Sequence, residues 1–140
     1  MARGTIYEHR EPTEVELAWL TGIWEGEGSW TFKKGRPAKM CYENGKTYRE
    51  KPYLNMIMSM TDQDVMERVG RIMDGRKITH YDGGPAHKTA GQKPVYIISL
   101  RGEAACRWSK LMKPYLGIRR REKYELIMEQ INEELFSEVA

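Results

Sequence analysis

The chain has 140 residues, with 23 Lys and Arg against 20 Asp and Glu, a formal net charge of +3, and 40% apolar residues. That length suits one domain and is enough to bury about two thirds of the unfolded surface in a real core. No apolar run reaches the ~20 residues of a membrane span, the N-terminal stretch has no apolar leader core, and Cys41 and Cys106 have neither metal-ligand spacing nor a disulfide framework. Neither a membrane partner nor a small-molecule cofactor is expected, and a reducing, intracellular setting is the default.

Residues 1–12 read as an irregular arm and residues 13–140 as a single domain. "PTEVELAWLTGIWEG" reads as a helix, with Thr13 as N-cap, Glu16 completing a capping box, and Gly26 and Gly28 ending it. "SWTFKKGR" alternates, Trp30 and Phe32 on one face and Ser29, Thr31 and Lys33 on the other. After an Asn44-Gly45 turn signal, "YLNMIMSM" alternates again, Leu54, Met56, Met58 and Met60 opposing Tyr53, Asn55, Ile57 and Ser59. "TDQDVMERVGRIM" is an amphipathic helix capped by Thr61 or Asp62. "RKITHYD" and "PVYIISLR" predict a second strand pair, joined by a loop through Gly83, Gly84 and Gly91. A third helix stops near Pro114, and a fourth follows from Gly117 with Tyr124, Ile127, Met128, Ile131 and Leu135 on its apolar side.

The order α-β-β-α-β-β-α-α predicts an α+β fold whose antiparallel sheet packs one face on helices and leaves the other open. That open face inherits Lys33, Lys51, Tyr53, Asn55, Lys77, Thr79 and Tyr81. The segment 29–53 is a basic block (Lys33, Lys34, Arg36, Lys39, Lys46, Arg49 and Lys51) between acidic ones. It reads either as a polyanion-facing surface or as a solvated lysine-rich loop. Arg119, Arg120 and Arg121 open the last helix, where three cations oppose the macrodipole; an external anion would answer them.

"LTGIWEGEGSW", Leu20 to Trp30, is the least economical stretch. Glycine inside a helix costs about 1 kcal/mol relative to alanine, and carboxylates at a helix C-terminus face its negative end. Ala18, Gly22 and Gly26 recur every four residues, so they line one side of the helix. Such a stripe admits another backbone, either the chain's own sheet or a second copy. Glu25 and Glu27 lie beside the free carbonyls of the helix end, a collection of oxygens that a hard cation would reconcile. If two copies met along the stripe, two such ends would lie together. Magnesium suits oxygen-only ligation, and paired metals suit phosphodiester cleavage.

Leu20-Thr21-Gly22-Ile23-Trp24-Glu25-Gly26-Glu27-Gly28 resembles the signature of the LAGLIDADG homing endonucleases, with glutamate at both acidic positions, and Ser29 and Trp30 match its usual continuation. "SMTDQDVMERVGRIM" and "LMKPYLGIRRREKYELI" resemble later family segments. The resemblance implies an αββαββα core with a four-stranded antiparallel saddle that binds double-stranded DNA. It implies a homodimer joined through Ala18, Gly22, Glu25 and Gly26, with Trp24 near the contact. It also implies Mg²⁺, for which Ca²⁺ or Mn²⁺ stands in within crystals, and double-strand cleavage of a long, roughly palindromic site. Glu27 and the Gly26 carbonyl align with the metal ligands, Glu25 with an acid of structural role, and Arg119 with a basic residue near the scissile phosphate. Ser29, Thr31, Lys33, Lys51, Tyr53, Asn55, Lys77, Thr79 and Tyr81 would then face the major groove. Lys34, Arg36, Arg49 and Arg120 would face phosphates. The family's polar residue at the strand-to-helix junction finds Thr61 or Asp62 as substitutes. The rival readings are a non-cleaving DNA- or RNA-binding protein of the same fold, a maturase or transcriptional regulator, and a generic basic RNA-binding domain.

Overall fold

The computed structural model describes residues 11–35, 39–40, 47–48, 51–81 and 93–139. Most of the expected N-terminal arm, the Asn44-Gly45 turn, and the loop through Gly83, Gly84 and Gly91 lie outside the described residues.

Helix α1, Glu14–Glu27, begins as its capping box dictates. Thr13 Oγ1 accepts from the Glu16 amide at 3.1 Å, and Glu16 Oε1 accepts from the Thr13 amide at 2.9 Å. The helix runs through Gly26 and ends one residue later than its glycines predict, at Glu27, with Gly28 as C-cap. The Gly28 amide donates to the Trp24 carbonyl and the chain passes directly into strand β1, Gly28–Lys33. No Cβ fits at that junction: it would collide with the Trp24 ring and lie 2.8 Å from the Trp24 carbonyl oxygen. Gly28→Ala is therefore expected to lower stability by about 1–3 kcal/mol, measured as a reduced urea midpoint with unchanged m-value.

The chain continues through β2 (Lys39–Met40), β3 (Thr47–Tyr48), β4 (Tyr53–Met60), α2 (Gln63–Ile72), β5 (Thr79–Tyr81), β6 (Val95–Arg101), α3 (Glu103–Met112) and α4 (Ile118–Val139). Pro114 lies in a 3-10 turn, Lys113–Tyr115, between α3 and α4. The main sheet has the order β1-β4-β6-β5 with antiparallel neighbours, while β2 and β3 form a separate two-stranded ribbon. The predicted α+β architecture is thus present, with both long hairpin partners, β4 and β6, side by side in the centre.

Alternation then decides what is buried. Trp30, Leu54, Met56, Met58, Ile98 and Leu100 point to the helices and are at most 1% exposed. They meet Leu20 and Trp24 of α1, Met66 and Val69 of α2, Trp108 and Met112 of α3, and Tyr124 and Ile127 of α4. The two buried indole N–H groups are partnered, as burial requires: Trp30 Nε1 donates to Ser109 Oγ at 2.9 Å, and Trp24 Nε1 to Met73 Sδ at 3.3 Å. Trp24 is fully buried on the core side of α1, as a packing residue. The α2 N-cap is Asp62, which makes no side-chain capping bond. Among the described residues, no helix is long and apolar enough to cross a membrane.

Candidate active site and nucleic-acid interface

The open face of the sheet is built by register. Thr31 pairs with Asn55, and Asn55 with Arg101; Ser29 pairs with Ile57, and Ile57 with Ser99; Ser59 pairs with Ile97, and Ile97 with Thr79. Paired residues share a face, so three-residue rows of hydroxyl, amide, guanidinium and apolar groups cross the sheet. The Arg101 guanidinium lies 5.6 Å from the centre of the Tyr53 ring, a cation–π distance that steadies a long side chain.

The second cluster lies where α1 ends and α4 begins. The Gly117 amide, at the N-terminus of α4, donates to Glu25 Oε1. Arg120 Nη2 donates to the Glu25 carbonyl at 3.1 Å and its guanidinium lies 5.9 Å from the Trp30 ring centre. The logic is electrostatic. The negative end of α1 meets the positive end of α4, so a carboxylate from one helix answers the amides of the other, and an arginine answers the carbonyls. Arg121 Nη2 donates to the Leu116 carbonyl at 3.1 Å.

Two groups stay outside this exchange. Glu27 is exposed and has no hydrogen bond or ion pair to another described residue. The Gly26 carbonyl receives no backbone hydrogen bond among the described residues. Ala18, Gly22 and Gly26 form an exposed line leading to them, and a Cβ at Gly22 or Gly26 would meet nothing within 4 Å. Val15, one turn before this line, is 76% exposed.

Neither a family model nor a curated protein matches the sequence. Solved structures do match the fold. The chain is similar to the homing endonuclease I-CvuI in complex with its target in the presence of Ca, at TM-score 0.57 and 13% identity over 89% of this chain and 70% of that one. It is similar to the archaeal intron-encoded homing endonuclease I-Vdi141I complexed with DNA, at TM-score 0.52 and 14% identity over 85% of this chain and 68% of that one. It is also similar to the LAGLIDADG homing endonuclease I-GzeII in complex with its DNA target, at TM-score 0.50 and 15% identity, covering 87% of this chain and 36% of that one. The chain has the LAGLIDADG homing-endonuclease fold.

On this LAGLIDADG fold the sequence-predicted residues distribute unevenly. Ser29, Thr31 and Lys33 lie on β1, Tyr53 and Asn55 on β4, and Thr79 and Tyr81 on β5, all at open-face register positions. Lys51 and Lys77 are exposed but precede β4 and β5, so they flank the sheet rather than stand on it. Lys34 is exposed just beyond β1, and Arg36 and Arg49 lie outside the described residues. Arg120, expected to face phosphate, donates one Nη2 bond to the Glu25 carbonyl and lies over Trp30 of its own chain. Arg121 likewise has an internal carbonyl, so of the three cations only Arg119 remains exposed without a described partner. The Glu25 carboxylate accepts from the Gly117 amide at the start of the chain's own α4.

Sequence reasoning missed Ser99 and Arg101, the exposed open-face residues of β6. Their signal was present: "PVYIISLR" alternates, and Ile98 and Leu100 mark the buried parity. Ser59 was missed as well. Ser59 is exposed and pairs with Ile97, on the same open face as Ile57.

Proposed function

We propose that this chain is a site-specific, double-strand DNA endonuclease acting as a homodimer with Mg²⁺. The observation that carries the proposal is the end of α1: an unpaired, exposed carboxylate at the tip of a helix whose two glycines face open space. Within one protomer those features destabilise; against a second copy they become useful.

The donors at this tip fit a hard divalent cation. Carboxylate and carbonyl oxygens are what Mg²⁺ selects, and the internal bonds of Glu25 and Arg120 leave Glu27 and the Gly26 carbonyl available. Among the described residues no group of three or more His, Cys, Asp and Glu side chains is placed to hold a metal. One protomer therefore offers part of a ligand set, and two stripes packed together would bring two such parts to one axis. When bound, the metal would polarise the phosphate and stabilise the leaving oxygen. The chain's own residues hold, orient and neutralise. Glu27 and Gly26 would anchor the ion. The Glu25–Gly117 bond fixes the α4 N-terminus against the α1 tip, two residues from Arg119 on one side and from Glu27 on the other. Arg119 would add positive charge beside the phosphate. The open face would lie in the major groove, with Thr31, Asn55 and Arg101 able to meet base edges and Lys33, Lys34, Lys51 and Lys77 to meet phosphates.

The similarity to DNA-bound homing endonucleases of the same fold supports this reading. So does the 36% coverage of I-GzeII, a chain long enough to hold two such units. The test is selection of cleaved sequences from a randomised duplex library. Cleavage in Mg²⁺, abolished by EDTA, at a site with two-fold symmetry is the expected result. Sequence-preferring binding with no nicking in Mg²⁺ would overturn catalysis and leave a DNA-binding protein.

A further inference from the structure

We propose that Ile57 and Ile97 form a thymine-selecting patch in the middle of the open sheet face, contacting the 5-methyl groups of bases in the major groove. The proposal rests on the DNA-binding reading above and deepens it.

Ile57 stands on the central strand β4 and is 39% exposed, although the same strand sends Leu54, Met56 and Met58 into the core with at most 1% exposure. The core does not use Ile57. Ile97 is half-buried on β6, with the opposite parity to the fully buried Ile98. Ile57 pairs with Ser99, and Ser59 with Ile97, so the two isoleucines are diagonal neighbours on one face. Hydroxyl residues surround them: Ser29 and Ser99 flank Ile57, and Ser59 and Thr79 flank Ile97. The result is an apolar island in a hydroxyl-rich surface, with Thr31, Asn55 and Arg101 as the adjoining row.

Base chemistry decides what such an island selects. In the major groove, thymine presents a C5-methyl beside its O4 acceptor, whereas guanine and adenine present the N7 acceptor with O6 or N6, and cytosine a bare C5–H beside its N4 donor. Isoleucine gives those groups no partner, and a desolvated, unpaired donor or acceptor is costly. A methyl against isoleucine removes apolar area from water instead. The surrounding hydroxyls suit the O4 acceptor and tolerate either orientation, since each both donates and accepts. The flanking cations Lys33 and Lys77 suit the phosphates on either side.

The experiment uses the full chain and duplexes recovered by binding, in Ca²⁺, from a randomised library. Each thymine of a recovered duplex is replaced in turn by deoxyuridine, which removes only the methyl. The wild type should lose about fourfold in affinity at one or two thymines of each half-site, the loss corresponding to one buried methyl, with no change elsewhere. An Ile57→Ser, Ile97→Ser variant, which leaves no side-chain methyl on the patch, should bind with the same salt dependence but be indifferent to the replacement at those positions. Ile57→Ser alone serves if the double variant has a lowered Tm. A preferred duplex with no uracil-sensitive position, or sensitivity that persists in the variant, would overturn the patch while leaving DNA recognition intact. Recovery of no preferred duplex at all would overturn both.

Discussion

Glu27→Gln is expected to reduce phosphodiester cleavage by about a thousandfold or more, the equivalent of about 4 kcal/mol of lost transition-state stabilisation, while duplex affinity stays within about threefold. The substitution is nearly isosteric and Glu27 is exposed with no described partner, so no packing or internal hydrogen bond is lost. What disappears is the negative charge that would hold a divalent cation at the α1 tip. Folding stability should be equal or slightly higher, because a carboxylate at a helix C-terminus faces the negative end of the dipole, a penalty of a few tenths of a kcal/mol. Single-turnover cleavage, filter binding and a thermal melt on the same preparations separate these effects. Wild-type-like cutting by Glu27→Gln would remove this residue from the chemistry. A large drop in Tm would mean that the carboxylate has a structural role instead.

Gly22→Leu is expected to leave the protomer folded and to abolish its self-association, and with it cleavage of both strands. The reasoning is a contrast among glycines of one signature. At Gly28 a Cβ would collide with Trp24, so glycine is required by the chain's own packing. At Gly22 and Gly26 a Cβ would meet nothing within 4 Å among the described residues, so none of them requires glycine there. Replacing helical glycine with leucine should then stabilise the isolated protomer by up to about 1 kcal/mol through helix propensity. A leucine projecting from the stripe would prevent two helix backbones from approaching closely. Sedimentation equilibrium at micromolar concentration should change from dimer to monomer as Tm holds or rises. A dimer that persists in Gly22→Leu would place the subunit contact on another surface, and the part-formed ligand set at Glu27 would lose its proposed partner.

The same contrast shows how much was legible beforehand. Local rules identified α1 from its capping box, since the cap depends on residues three apart in the chain. They identified the buried faces of β1 and β4 because side-chain parity along a strand has period two. They do not distinguish residues whose partners are distant. Arg119, Arg120 and Arg121 look equivalent in sequence, three cations at one helix start. Only the meeting of α1 and α4, residues 95 apart at the Arg120–Glu25 bond, gives Arg120 an internal carbonyl and leaves Arg119 to the surface. Glu25 and Glu27 are likewise similar neighbours in sequence. The α4 amide at Gly117 takes the first and leaves the second exposed.

Sequence alone therefore determined the helices, the four strands of the main sheet, their order and the parity of β1 and β4, though not the β2–β3 ribbon, because hydrogen bonding and apolar periodicity act over a few residues. It also marked the glycine-and-glutamate stretch as anomalous, since its helix-propensity and dipole penalties are local. Tertiary structure decided which glycines have room, which acid and which arginine are already engaged, and that β6 rather than the flanking lysines stands beside β4. Those outcomes depend on contacts between segments far apart in the chain, where packing and the alignment of opposite helix ends choose among side chains that local rules treat as alike.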